Sequence, residues 1–110
     1  MKVKKTRTKS KGIKIILEKE GQTVARAFLY VLYNDLHQEP FGFMEDVWVE
    51  EEMRSQGLGT KIVKEIIKEA RGRKCYKLIT TSRYSMPRVH KLYQRLGFKD
   101  YGKEFRMDLK

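Results

Sequence analysis

The segment Arg54-Ser55-Gln56-Gly57-Leu58-Gly59-Thr60 carries two glycines one residue apart, just downstream of an arginine, between the strand-like run Phe43 to Val49 and the helix-like run Leu58 to Ala70. Glycine permits backbone conformations closed to other residues and leaves the amide N–H groups uncovered. The start of the helix adds four donors without intrahelical partners and a partial positive charge. Together these suit a pyrophosphate. The same glycines would also serve a tight strand-to-helix connection that holds nothing. The spacing Arg54-x-x-Gly57-x-Gly59 is not the dinucleotide-binding Gly-x-Gly-x-x-Gly, and no acidic residue closes a second strand at the expected distance. No Gly-Lys-Ser/Thr follows, so it is not a P-loop either.

The elements that must position this loop follow from pattern. Ile13 to Lys19 and Thr23 to Tyr33 read as strands joined at Glu20-Gly21-Gln22, a hairpin signal because glycine supplies positive φ. Both faces of the second strand are apolar, Ala25, Ala27, Leu29 and Val31 on one and Val24, Phe28, Tyr30 and Leu32 on the other, which places it inside a sheet. Asn34 to Pro40 is a polar loop before the strand Phe41 to Val49. In the helix that follows, Ile62, Val63, Ile66, Ile67 and Ala70 recur at helical spacing, with Lys61, Lys64, Glu65, Lys68 and Glu69 on the other face. Gly72 is expected to end it as a left-handed terminator. A strand over Cys75 to Thr81, a helix opened by Pro87 and stopped by Gly97, and a last strand over Phe105 to Leu109 complete the reading. This order predicts an α/β fold: a mixed, mostly antiparallel sheet with one parallel strand-helix-strand crossover and two main helices.

At 110 residues the chain is one domain with a single core, and it carries a net charge of +11. Lys2, Lys4, Lys5, Arg7, Lys9 and Lys11 precede the first acid, Glu18, so residues 1–12 are read as a flexible basic arm and 13–110 as the folded domain. Such an arm raises the on-rate for any polyanion, or merely aids solubility. The lone Cys75 leaves no internal disulfide, which points to a reducing, cytoplasmic setting. Lys14 and Glu18 interrupt the apolar run Ile13 to Leu17, so neither a secretory signal nor a membrane span is expected. Two histidines and one cysteine lack metal-ligand spacing, and no metal is implied.

Arg54-x-x-Gly57-x-Gly59 resembles the Gln/Arg-x-x-Gly-x-Gly/Ala acyl-CoA motif of the GNAT superfamily of N-acetyltransferases. Ahead of it, Glu45-Asp46-Val47-Trp48-Val49 looks like that family's fourth strand. Behind it, Leu92-Tyr93-Gln94-Arg95-Leu96-Gly97-Phe98 is similar to its Leu-Tyr-x-x-Leu-Gly-Phe segment, about forty residues on. The resemblance covers residues 41 to 110 well and 13 to 40 by pattern. It implies acetyl-CoA as co-substrate, with the diphosphate on the amides of Arg54, Ser55, Gln56, Gly57, Leu58, Gly59 and Thr60. The thioester and pantetheine arm would meet main-chain groups of Val47, Trp48 and Val49.

Acetyl transfer needs a neutral amine, donors for a tetrahedral oxyanion and a proton for the departing thiolate. Tyr93 matches the tyrosine that donates this proton in many such enzymes; a core aromatic on the helix stripe is the competing reading. Glu45 matches a carboxylate often placed on the fourth strand, where it acts as general base directly or through water, with Asp46 expected on the opposite face. His90, one turn before Tyr93, is a weaker candidate to orient substrate. Trp48 and Tyr84 are candidates to line an acceptor site, or are packing residues. The family's pantetheine-contacting asparagine is absent, since the loop offers Ser82, Ser85 and Met86. Members also begin with a strand and helices that wall the acceptor site, so here that site is open, built by Asn34 to Pro40, or completed by a second copy in a homodimer.

The resulting expectation is direct transfer of acetyl from acetyl-CoA to a primary amine, of a protein or a small molecule, in a ternary complex. Two other classes stay open. One is a basic nucleic-acid-binding module without catalysis, with the arm, Arg71, Arg73, Lys74 and Arg83 as its footprint. The other is an acyl-CoA sensor without turnover. A binder would lose affinity steeply with salt and ignore acetyl-CoA, whereas the enzyme has a saturable coenzyme site.

Overall fold

Glu20 and Gly21, at φ 52° and 79°, make the two-residue turn that joins strands β1 (Ser10–Lys19) and β2 (Gln22–Leu32). Positive φ at both central positions matches the right-handed twist of the flanking strands. Pairing in β1 begins at Ser10, three residues ahead of the expected start, and Tyr33 N donates to Lys9 O at 3.2 Å. The computed structural model describes residues 1–110, which form two compact units, Met1–Thr80 and Thr81–Lys110.

In the first unit the sheet order is β1-β2-β3-β4, with β3 at Phe41–Val49 and β4 at Leu78–Thr80. The first three strands are antiparallel and β4 runs parallel to β3, so the mixed α/β topology is as expected. The crossover is helix α1 (Leu58–Gly72), preceded by a 3-10 turn at Glu51–Met53. Ile62, Val63, Ile66 and Ala70 of α1 are buried together with Ala25, Ala27, Leu29 and Val31 of β2 and Met44 of β3. Alanines at 25 and 27 let the helix approach closely, and Gly42 continues this small-residue floor: a Cβ there would lie 3.0 Å from Leu78 Cδ1. The opposite face of the sheet carries Lys14 and Ile16 of β1, Arg26, Phe28 and Tyr30 of β2, and Phe43, Glu45 and Trp48 of β3.

Two local expectations fail. Gly72 is the last residue of α1, as expected, but it does not take the left-handed conformation; the C-cap is Arg73 and the left-handed residue is Lys74, at φ 62°. Strand β4 is also shorter than Cys75 to Thr81. Tyr76 N donates to Pro40 O at 2.9 Å and Gly42 N to Lys77 O at 2.9 Å, so the connection is tied to the start of β3 before regular pairing begins.

The second unit contains helix α2 (Pro87–Arg95), opened by Pro87 as expected, with Gly97 at φ 106° just past its end. Phe98 N reaches Tyr93 O at 2.9 Å, closing the terminus in the manner of a left-handed C-cap. The expected final strand, Phe105 to Leu109, does not form. Its alternation is that of a strand, but this unit holds no other strand, and a lone strand gains no ladder bonds. Phe105, Met107 and Leu109 are therefore exposed, and Arg106 Nε pairs locally with Asp108 Oδ1 at 2.8 Å.

Candidate functional site

The second half of β3 breaks the regularity of the sheet. Arg26 pairs with Trp48 and Phe28 with Glu45, so one residue of β2 faces two of β3, Asp46 and Val47. This is a β-bulge, and Asp46 takes φ 52° within it. Asp is among the side chains that tolerate the left-handed region best. The bulge interrupts the regular alternation here, and Glu45 and Asp46 are both exposed. Two polar residues in succession inside a strand were the visible signal of it.

On its other edge, β3 loses its neighbour at nearly the same point. Strand β4 pairs only with Gly42 to Met44, and Thr80 Oγ1 donates to Met44 O at 2.9 Å as the last link. Glu50 N donates to Val24 O at 2.8 Å on the β2 side, so the amide and carbonyl of Val49 point the other way. The Val49 carbonyl there accepts from Arg54 Nε at 3.1 Å. Trp48 lies in the ladder opposite Arg26, which turns its main chain toward β2. Of the three main-chain positions singled out in sequence, Val49 thus faces the side that β4 has left, Trp48 faces β2, and Val47 lies within the bulge itself.

Directly beyond, Ser55 at φ 69° and Gly57 at φ 78° bend the chain twice into the left-handed region before α1 starts. Gly57 is the N-cap and supplies no side-chain cap, and the first turn has no acidic residue, so the amides of Leu58, Gly59 and Thr60 stay available. Arg54, Ser55, Gln56 and Gly57 are exposed, while Leu58, Gly59 and Thr60 are half-buried. The donor set fits a phosphate or pyrophosphate. The loop and the bulge lie at one end of β3, and the Asn34 to Pro40 loop precedes the other end, about 30 Å away along a nine-residue strand.

In the second unit Tyr93 is buried, with its ring 5.4 Å from that of Phe98. His90 is engaged locally: Nε2 lies 2.8 Å from Arg83 O and ties the loop ahead of α2 to the helix. Tyr84 is exposed. Ser82, in the loop ahead of α2, holds a buried hydroxyl with no hydrogen-bond partner. Among all residues no group of three or more His, Cys, Asp or Glu is placed to hold a metal ion. No helix is long and apolar enough to cross a membrane.

Comparison with known proteins gives the family of the chain. The family model described as Acetyltransferase (GNAT) family matches residues 4–98. The chain belongs to the GNAT acetyltransferase family. It is 35% identical over 69 residues to a glucosamine 6-phosphate N-acetyltransferase of Trypanosoma brucei brucei, covering 62% of this chain and 44% of that protein. It is 39% identical over 57 residues to glucosamine 6-phosphate N-acetyltransferase 1 of Oryza sativa subsp. japonica, covering 52% of this chain and 33% of the rice protein. This GNAT chain therefore spans less than half the length of either relative. Among solved structures, a Trypanosoma brucei acetyltransferase superposes with a TM-score of 0.78 at 26% identity, over 89% of this chain and 69% of the other.

Proposed function

We propose that this GNAT chain transfers acetyl from acetyl-CoA to a primary amine within a ternary complex. The observation that carries the reading is the coincidence, at one end of β3, of a bulge, an unpaired strand edge and an uncapped helix start. The amides of Leu58, Gly59 and Thr60 and the remaining N–H groups of Arg54 receive the diphosphate, and the main chain of Val47 and Val49 receives the pantetheine arm and the carbonyl oxygen. The amine nitrogen attacks the thioester carbon and a C–N bond forms. The nitrogen gives its proton to Glu45 or a water it holds, the tetrahedral intermediate collapses with loss of the C–S bond, and the departing sulfur takes up a proton, a role that the resemblance of the Leu92 to Phe98 segment assigns to Tyr93. A cytoplasmic setting suits the lone, partly buried Cys75. The names of the two relatives make glucosamine 6-phosphate the first acceptor to test.

The test is calorimetry with acetyl-CoA on the chain lacking residues 1–8, beside the same chain carrying Gly57→Glu, at moderate salt. A saturable micromolar site, lost in the variant, supports the enzyme. Absence of binding with retained affinity for single-stranded nucleic acid would replace it with the binding module.

A further inference from the structure

The sheet face opposite α1 holds an arrangement that the coenzyme does not need. Across β1, β2 and β3 run two adjacent rows, Lys14–Phe28–Glu45 and Ile16–Arg26–Trp48, both ending at the bulge. Arg26 stacks on the only tryptophan, its guanidinium carbon 5.0 Å from the Trp48 ring centroid, and Lys14 Nζ sits 5.7 Å from the Phe28 centroid. Stacking fixes the guanidinium plane and leaves its N–H edge free. The side chain of Arg26 makes no hydrogen bond and no ion pair within the protein, and neither does that of Glu45, since the ion pairs of the chain are Arg73–Glu69 and Arg106–Asp108. Glu45 opposes Phe28 and Arg26 is the next residue along on the same face, so the carboxylate and the guanidinium are diagonal neighbours across the bulge, within reach of one small ligand.

We infer that this face is the acceptor subsite, and that it takes an amine bearing an anionic group, with the amine at Glu45 and the anion on Arg26, supported by Lys14. The inference rests on the N-acetyltransferase reading and adds the substrate class and the residue that selects it. A carboxylate beside an unpaired cation at this spacing complements a molecule carrying both charges, with its positive end toward the bulge where β3 has no partner on the β4 side. A planar guanidinium offers two parallel donors to a phosphate or carboxylate, which neutral amines do not engage. The apolar floor of Phe28, Ile16 and Trp48 lowers the local dielectric and strengthens both contacts.

Trp48, as the only tryptophan, reports on this face alone. Its emission is followed while the full chain is titrated with O-phosphoethanolamine or with ethanolamine, and acetyl-CoA binding is measured by calorimetry on the same samples. The expected result is a saturable change with phosphoethanolamine, at least tenfold weaker with ethanolamine. Arg26→Gln removes the difference between the two and keeps acetyl-CoA affinity within about twofold; Lys14→Gln weakens phosphoethanolamine only several-fold. Equal responses to both amines, no response to either, or full discrimination surviving in Arg26→Gln overturns the subsite while acetyl-CoA binding stands. Loss of acetyl-CoA binding by the unaltered chain instead overturns the enzyme reading, whatever Trp48 reports.

Discussion

Thr80 Oγ1 and Met44 O share a 2.9 Å hydrogen bond that closes the β3–β4 ladder at its last residue pair. Beyond it the two strands part, and the main chain of β3 is left to other partners. Thr80→Val keeps the shape of the side chain and removes the donor, so it is expected to cost about 1 kcal/mol in urea unfolding, since Met44 O loses its link. It should also weaken acetyl-CoA binding by lengthening the opening between the strands.

Glu45→Gln and Tyr93→Phe separate chemistry from folding. Glu45 is exposed, and its change is expected to leave the melting temperature in place while lowering kcat about a hundredfold, with the KM for acetyl-CoA unchanged. Tyr93→Phe keeps the ring against Phe98, so a comparable fall in kcat with acetyl-CoA affinity retained would mark the phenol as the acid. An unchanged kcat would leave Tyr93 as a packing residue.

Asp46 carries the bulge through its positive φ. A β-branched residue resists that region most, so Asp46→Val is expected to destabilise by about 1–2 kcal/mol, whereas Asp46→Gly is tolerated. Denaturant midpoints of the pair decide it, and the valine variant should lose turnover along with the bulge.

Much of this fold was legible because its signals are local. The hairpin at Glu20-Gly21, the two-faced apolar pattern of β2 and the stripe Ile62, Val63, Ile66, Ala70 each state a conformation and a burial at once. The glycine turn ahead of α1 was legible from Gly57, whose φ of 78° favours glycine. The bulge was hard to read because it concerns register between strands, and its one visible sign, Glu45-Asp46 in succession, fits an alternating pair equally well. The last strand was over-read for the converse reason: Phe105, Met107 and Leu109 give the pattern, but a strand exists only with a neighbour to bond. Arg26 escaped notice because its role comes from standing across from Trp48, 22 positions away in sequence.

Gly42 is confined by space rather than by φ. An added Cβ would meet Leu78 Cδ1 at 3.0 Å and Leu29 Cδ1 at 3.1 Å, both on the packed face. Gly42→Ala is expected to cost about 1–3 kcal/mol as β4 and β2 side chains shift, read as a lower denaturation midpoint. Restoring the volume with Leu78→Val should recover part of it.

Burial pushes the Cys75 thiol above its ordinary value, and the nearby Arg73 only partly opposes this. The folded protein therefore holds its proton to higher pH than the unfolded chain does. Above the unfolded thiol's pKa the unfolded state binds fewer protons, so this group's contribution makes stability fall as pH rises through that range. Cys75→Ser should flatten that alkaline slope in melts between pH 8 and 10, and alkylation of Cys75 at neutral pH should be slower than that of a free thiol.

The uncapped start of α1 has a practical and a cellular corollary. Because the amides of Leu58, Gly59 and Thr60 are satisfied by no side chain of the protein, whatever small anion is abundant competes for them. On the proposed reading, phosphate and sulfate buffers would understate coenzyme affinity, and in a cell full of nucleotides and sugar phosphates the loop would sample a crowd of weak tenants. Discrimination would then come from the rest of the coenzyme, the pantetheine proposed to reach along β3, which would make this an address read by length as much as by charge.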